Sequence, residues 1–249
     1  MIVRLIARGM IVGLLAGLLA AVFAYTAGEP PIDRAIALEE AASAASSPHE
    51  AAEPAHSHGE DGEGGEEGAP VSRNGQRFGL FLALGLYGVA VGGLFALTYS
   101  AVRGRVGPRS EPVLAVTLAA AAFVAVVLVP FMKYPANPPA VGDPATINQR
   151  TVLYLTAVTI GILAVAAGVA AHRLASRGEP WLRWPAGGVA LLVPVAAAWI
   201  FLPGIGEVPA GFPADLLWEF RVASLGTQAV FWLGVGALFA FAVRGRRPV

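Results

Sequence analysis

Three of the chain's four histidines, His49, His56 and His58, fall in one stretch dominated by Ser, Pro, Gly, Glu and Ala. Neutral imidazole is a common ligand for cobalt, nickel, copper and zinc, and carboxylates such as Glu60 and Asp61 can complete a site while offsetting the ion's charge. In an extended chain residues two apart point the same way, so His56 and His58 of "PAHSHGEDGEGGEEGAP" (54–70) can grip one ion from one face. The glycines that follow let the chain fold back, bringing Glu63, Glu66 or Glu67 within reach. Ordering such a segment costs roughly 1–2 kcal/mol per residue fixed, which makes the predicted site weak and labile, suited to collecting an ion rather than storing it. The same composition also describes a solvated acidic spacer that happens to contain histidines.

Little else in the chain offers chemistry. There are no cysteines, which removes disulfides, thiolate metal sites and cysteine nucleophiles. The glycines lack the Lys and strand context of a phosphate-binding loop, and no serine, histidine and acid combination is credible for hydrolysis. The chain is therefore read as a non-enzyme, with no catalytic residues and no tightly bound cofactor.

The elements that position the histidines are dictated by hydropathy. With 56% hydrophobic and 14% charged residues and a mean hydropathy of +0.64, the chain is too apolar for a soluble fold of this length. Six apolar stretches near 9–27, 78–102, 112–131, 151–172, 185–202 and 222–243 are each long enough to cross a hydrocarbon core of about 30 Å as a helix. The fold class expected is an all-α integral membrane protein, a bundle of about six transmembrane helices. Residues 1–27 form the first span or a signal anchor, 28–77 an external acidic His-containing loop, and 78–249 a five-helix bundle with short loops. The first third of the loop, "EPPIDRAIALEEAASAA", carries helical spacing and continues the first span as a short helix. From Ser46 to Gly75 the loop is too polar to bury a core and is expected to be disordered without a ligand. Glycines recur within the spans (Gly13, Gly17, Gly85, Gly88, Gly92, Gly161, Gly168), as they do where helix backbones approach closely.

Arginine placement sets the sidedness. With the N-terminus in the cytoplasm, eleven of the 17 basic residues lie inside, as membrane insertion favours. Both termini are then cytoplasmic, the protein is multi-pass in a bacterial inner membrane, and the outer face is acidic. Arg4 and Arg8 before an apolar run also resemble a secretory signal peptide, but the run is long and ends without a clean small-x-small cleavage site.

An ion-coupled carrier usually keeps ionisable groups at mid-membrane, and none of the six spans has one, so copies of the chain or a partner are expected to complete any transport unit. The external vestibule or translocation candidates are Glu29, Asp33, Glu39 and Glu40 after the first span. Lys133, Tyr134, Asn137, Asn148 and Arg150 in and after the proline-rich "PFMKYPANPPAVGDPATINQRT", Asp215 and Glu219 before the last span, and Gln228 within it complete the set. His172, beside Arg173, is read as an interfacial residue that binds nothing.

Taken together, "EPPIDRAIALEEA", the acidic "HSHGE" loop, "RFGLFLALGLYGVAVGGLFALTYS", "VPFMKYPANPPAVGDP" and "ASLGTQAVFWLGVGALFA" resemble the CbtA-type family of cobalt transporter subunits across essentially the whole chain. Members are described with about five spans, where six are read here. The resemblance implies a membrane subunit for cobalt uptake, associated with cobalamin supply and often found beside a small histidine-bearing single-span partner, CbtB. It also implies metal capture by the outer loop, matched here through His56 and His58 and more weakly through His49. The transported ion is then cobalt, with nickel or zinc compatible with the same ligands. Membrane lipid and copies of the chain are the other partners expected; nucleic acid is not. Two other readings stay open: a non-transporting membrane module that buffers or senses metal for a partner, and a carrier of another solute for which the acidic loop is only a spacer.

Overall fold

The computed structural model of the protein describes residues 2–46, 72–175 and 178–244. Among them there is no strand, and six helical segments are long and apolar enough to cross a membrane. Helix α1 (Ile2–Phe23) passes through a π-helical turn, Ala24–Gly28, into α2 (Glu29–Ser46). Helix α3 (Arg73–Val102) returns alongside it. Helix α4 (Glu111–Phe123) runs through a second π turn, Val124–Leu128, into α5 (Val129–Lys133), and α6 (Ile147–Leu174), α7 (Arg183–Phe201) and α8 (Ala214–Val243) complete the chain. Several helices outrun the apolar stretches that announced them. Their flanking residues are polar but still helix-compatible, so α8 starts directly after Pro213 and α3 at the Ser72 cap, whose hydroxyl accepts the Gly75 N–H at 3.2 Å.

The packing is inverted relative to a soluble bundle. Leu14, Leu15, Leu18 and Leu19 of α1 are exposed, while Gly9, Gly13, Ala16, Gly17 and Ala20 are buried. In lipid, leucine gains nothing by leaving the solvent, so helices associate through small residues that let backbones touch. A side chain at Gly13 would run into the carbonyl of Gly88, and one at Gly88 into the carbonyl of Gly13. That reciprocal contact locks α1 against α3. Helix α8 packs on both α1 and α4. Phe239 of α8 meets Phe95 and Tyr99 of α3 edge-on, each with 5.0 Å between ring centroids, contacts worth about 0.5–1.5 kcal/mol apiece.

The two π turns share a cause. Pro30 and Pro31, and later Pro130, lack the amide that an α-helix needs and would drive their rings into the carbonyl four residues back. In both places the helix widens just before the proline: Glu29 N–H reaches Ala24 O, and Val129 N–H reaches Val124 O, five residues back in each case. Thr26 Oγ1 donates to Val22 O and Phe23 O at 3.0 and 3.1 Å, occupying carbonyls at the first widening. Helix α6 presses on the second π turn at Gly161, where any side chain would strike the Ala125 carbonyl. Helix α7 packs on α6 and buries none of its own residues.

Candidate functional site

Both π turns line one cavity, of about 670 Å³, at the end of the bundle that carries the proline-rich loop. Widened helical turns of this kind recur at functional sites. One wall belongs to α8, where Arg221, Ser224, Leu225 and Gln228 follow the i, i+3, i+4, i+7 spacing of a single helix face and all border the cavity. At 1.5 Å rise per residue, the stripe descends about 10 Å from Arg221 to Gln228. Tyr87 of α3 and Tyr154 of α6 face it, with Lys133, Tyr134, Ala136, Asn137 and Arg150 around the mouth.

The loop over the mouth, from Tyr134 to Asp143, is non-helical, as its prolines predict, and is tied down at several points. Arg221 Nη2 donates to Asn137 Oδ1 at 2.9 Å and its Nε to Ala136 O at 3.3 Å. Tyr134 Oη donates to Pro203 O at 2.8 Å, and Lys133 Nζ to Trp199 O at 2.9 Å. Glu207 closes the far side: it accepts from Thr146 Oγ1 at 2.6 Å and from the Asp143 N–H at 3.0 Å, and lies 3.5 Å from Arg150. Those two hydrogen bonds, with Arg150 as a lesser contributor, hold the Glu207 carboxyl below its ordinary range. A turn at Ala140, with φ of 64°, completes the bend.

The charged groups lining the cavity are mostly cationic. Lys133, Arg150 and Arg221 line it, against one carboxylate, Glu29. Glu29 is drawn outward by Arg73 at 3.0 Å and Arg77 at 3.4 Å, which also engage Asp33. Arg150 has Glu207; among the described residues Arg221 has only the two neutral acceptors above. Gln228 Oε1 and Arg150 Nε are buried without a hydrogen-bond partner. A bare dication about 8 Å from one guanidinium is repelled by about 4 kcal/mol at an effective dielectric near 20.

Of the residues expected at an external vestibule, the structure brings Glu29, Lys133, Tyr134, Asn137, Arg150 and Gln228 to this cavity. The others lie off its lining. Asp33 pairs with Arg73 and Arg77, and Glu219 pairs with Arg34, tying α2 to α3 and α8. Glu39 and Glu40 are exposed on α2, Asn148 is in the first turn of α6, and Asp215 in the first turn of α8. The expected metal ligands His49, His56, His58, Glu60 and Asp61 lie outside the described residues. Among the described residues no three of His, Asp and Glu come together in a way that could hold a metal ion. His172 Nδ1 sits 3.1 Å from Arg183 O and its ring packs on Trp184, so it fastens the α6–α7 connection. Sequence reasoning overlooked Arg221, Tyr87 and Tyr154. The spacing of Arg221, Ser224 and Gln228 on one helix face was the available signal.

A family model described as "Probable cobalt transporter subunit (CbtA)" matches residues 2–244, nearly the whole chain, and the chain belongs to that family. This is a family of transporter subunits rather than of enzymes. No curated protein and no solved structure matches the chain.

Proposed function

We propose that this member of the CbtA family is the membrane subunit through which a bacterium takes up divalent cobalt across its inner membrane, with both termini cytoplasmic. The match to a cobalt-transporter-subunit family along nearly the full chain carries the reading. In this orientation the proline-loop end faces outward, where His49, His56 and His58, with Glu60 and Asp61, collect the ion. The cavity beneath the loop is the entrance to the path, and Glu29, Tyr134, Asn137 and Gln228 are among its polar lining residues. Nickel and zinc suit the same ligands, and the collector alone does not select among them. The chain is not an enzyme in this reading.

The word subunit in the family's description implies a partner in a complex. A small histidine-bearing single-span protein of the CbtB kind, or further copies of this chain, fills that role here. A second reading keeps the metal but not the transport: the loop buffers or senses the ion and the helices scaffold a partner. It is favoured by the lack, among the described residues, of any clustered metal ligands in the bundle.

Replacing His49, His56 and His58 together by alanine tests the collector. Cobalt uptake should fall steeply at limiting metal and little at saturating metal; equal loss at both, or none, contradicts it. Because imidazole must be neutral to bind, the wild-type advantage should also fade as pH drops below about 6.5.

A further inference from the structure

We propose that the cavity beneath the proline-rich loop is a binding site for a small carboxylate anion, which brings the divalent metal into it as a chelate rather than as the bare ion. The anion site stands on the cavity itself; the part about the metal rests on the uptake reading above.

Charge placement is the first support. Lys133, Arg150 and Arg221 border the space; Arg150 is paired with Glu207 and Lys133 donates to the Trp199 carbonyl, so Arg221, held among the described residues only by neutral acceptors, is the charge left for a ligand, while the one lining carboxylate, Glu29, is shared between Arg73 and Arg77. Such a space repels a free dication and attracts an anion. Unfilled hydrogen-bonding capacity is the second. Among the described residues Arg221 bonds only neutral acceptors, Arg150 Nε is a buried donor without an acceptor, and the Gln228 side-chain oxygen is buried and unpaired. The amide's oxygen and nitrogen exchange places on rotation, so Gln228 can present two N–H donors to an oxyanion. An arginine fork with amide and phenol donors is a set that recognises carboxylate oxygens. The size fits as well, since about 670 Å³ lies within the usual range for small-molecule sites. The described residues, by contrast, offer no cluster of His, Asp and Glu to strip water from a bare cation.

The test is equilibrium binding to the purified full-length chain in lipid nanodiscs, with citrate, cobalt–citrate and cobalt chloride as separate probes. Citrate or its cobalt complex should bind saturably, and Arg221→Gln should weaken binding about tenfold or more, the scale of a lost charge-assisted hydrogen bond. Gln228→Glu provides the sign check: it should weaken citrate binding, whereas a site for the bare cation would be strengthened by it. Saturable binding of the cobalt complex, with or without binding of free citrate, supports the chelate; binding of free citrate with the complex excluded overturns it. Absence of saturable binding by either, unchanged affinity in both variants, or tighter cobalt binding in Gln228→Glu would overturn the proposal. A thermal melt of each variant separates lost binding from lost folding. If the site fails while cobalt uptake still depends on the chain, the uptake reading stands without it; if citrate binds and no cobalt moves, the site stands without the uptake.

Discussion

Glu207 shows how much a single loop carboxylate organises. It gathers Thr146, the Asp143 amide and Arg150 around itself and so fixes the loop above the cavity. Its carboxyl is held below the ordinary range by those contacts. The folded form therefore binds its proton less readily than the unfolded chain, and the stabilisation is complete above the ordinary carboxylate range and lost as pH falls through the depressed value. Hydrogen-exchange protection of the loop amides should accordingly be constant near neutrality and decline in acid below that range. Glu207→Gln should show the weaker protection near neutrality, with the difference closing in acid; a loop equally protected in variant and wild type near neutrality would refute the role. Charge counting along the sequence cannot show that the Glu207 charge is consumed locally. The same limit hid Arg221: counting charges on each side gives the sign of a face, whereas the field in a cavity depends on which charges are paired.

At the scale of the helices, the sequence announced much. Apolar runs gave six spans, "EPPIDRAIALEEAA" gave a helix continuing from the first, and the recurring glycines gave close approach, realised between α1 and α3 at Gly13 and Gly88. The π turns were not announced as such, because a proline in an apolar run signals disturbance without saying whether the helix kinks, ends or widens. Here it widens, and twice at the same distance before a proline, which opens the walls of the cavity. The glycine contact makes a sharp comparison. Gly13→Leu should destabilise the bundle by about 1–3 kcal/mol or more, since backbone rather than a movable side chain stands in the way. Gly79→Ala, on α3 away from that contact, meets nothing within 4 Å and should be neutral or gain up to about 1 kcal/mol from helix propensity. Thermal melts of both variants in one detergent check this; similar melting of the two would mean that α1 and α3 do not meet as described.

For the whole molecule, the physical logic is a bundle that turns leucine outward and packs small or aromatic residues inside, with a cavity at one end lined by three cationic side chains and one carboxylate. The histidine stretch joins α2 to α3 in the chain, and its proposed role is to collect the metal. Family membership points to cobalt as the cargo, and the cavity is the entrance proposed for it. The claim that joins them is cobalt uptake through this chain. Its most direct measurement is the cobalt content of cells grown at limiting external cobalt, with the chain deleted and its chromosomal neighbours intact, and again with the chain restored. Cobalt content should fall on deletion and return on restoration, with any change in nickel or zinc smaller; cobalt content that is the same in all three strains would contradict the reading.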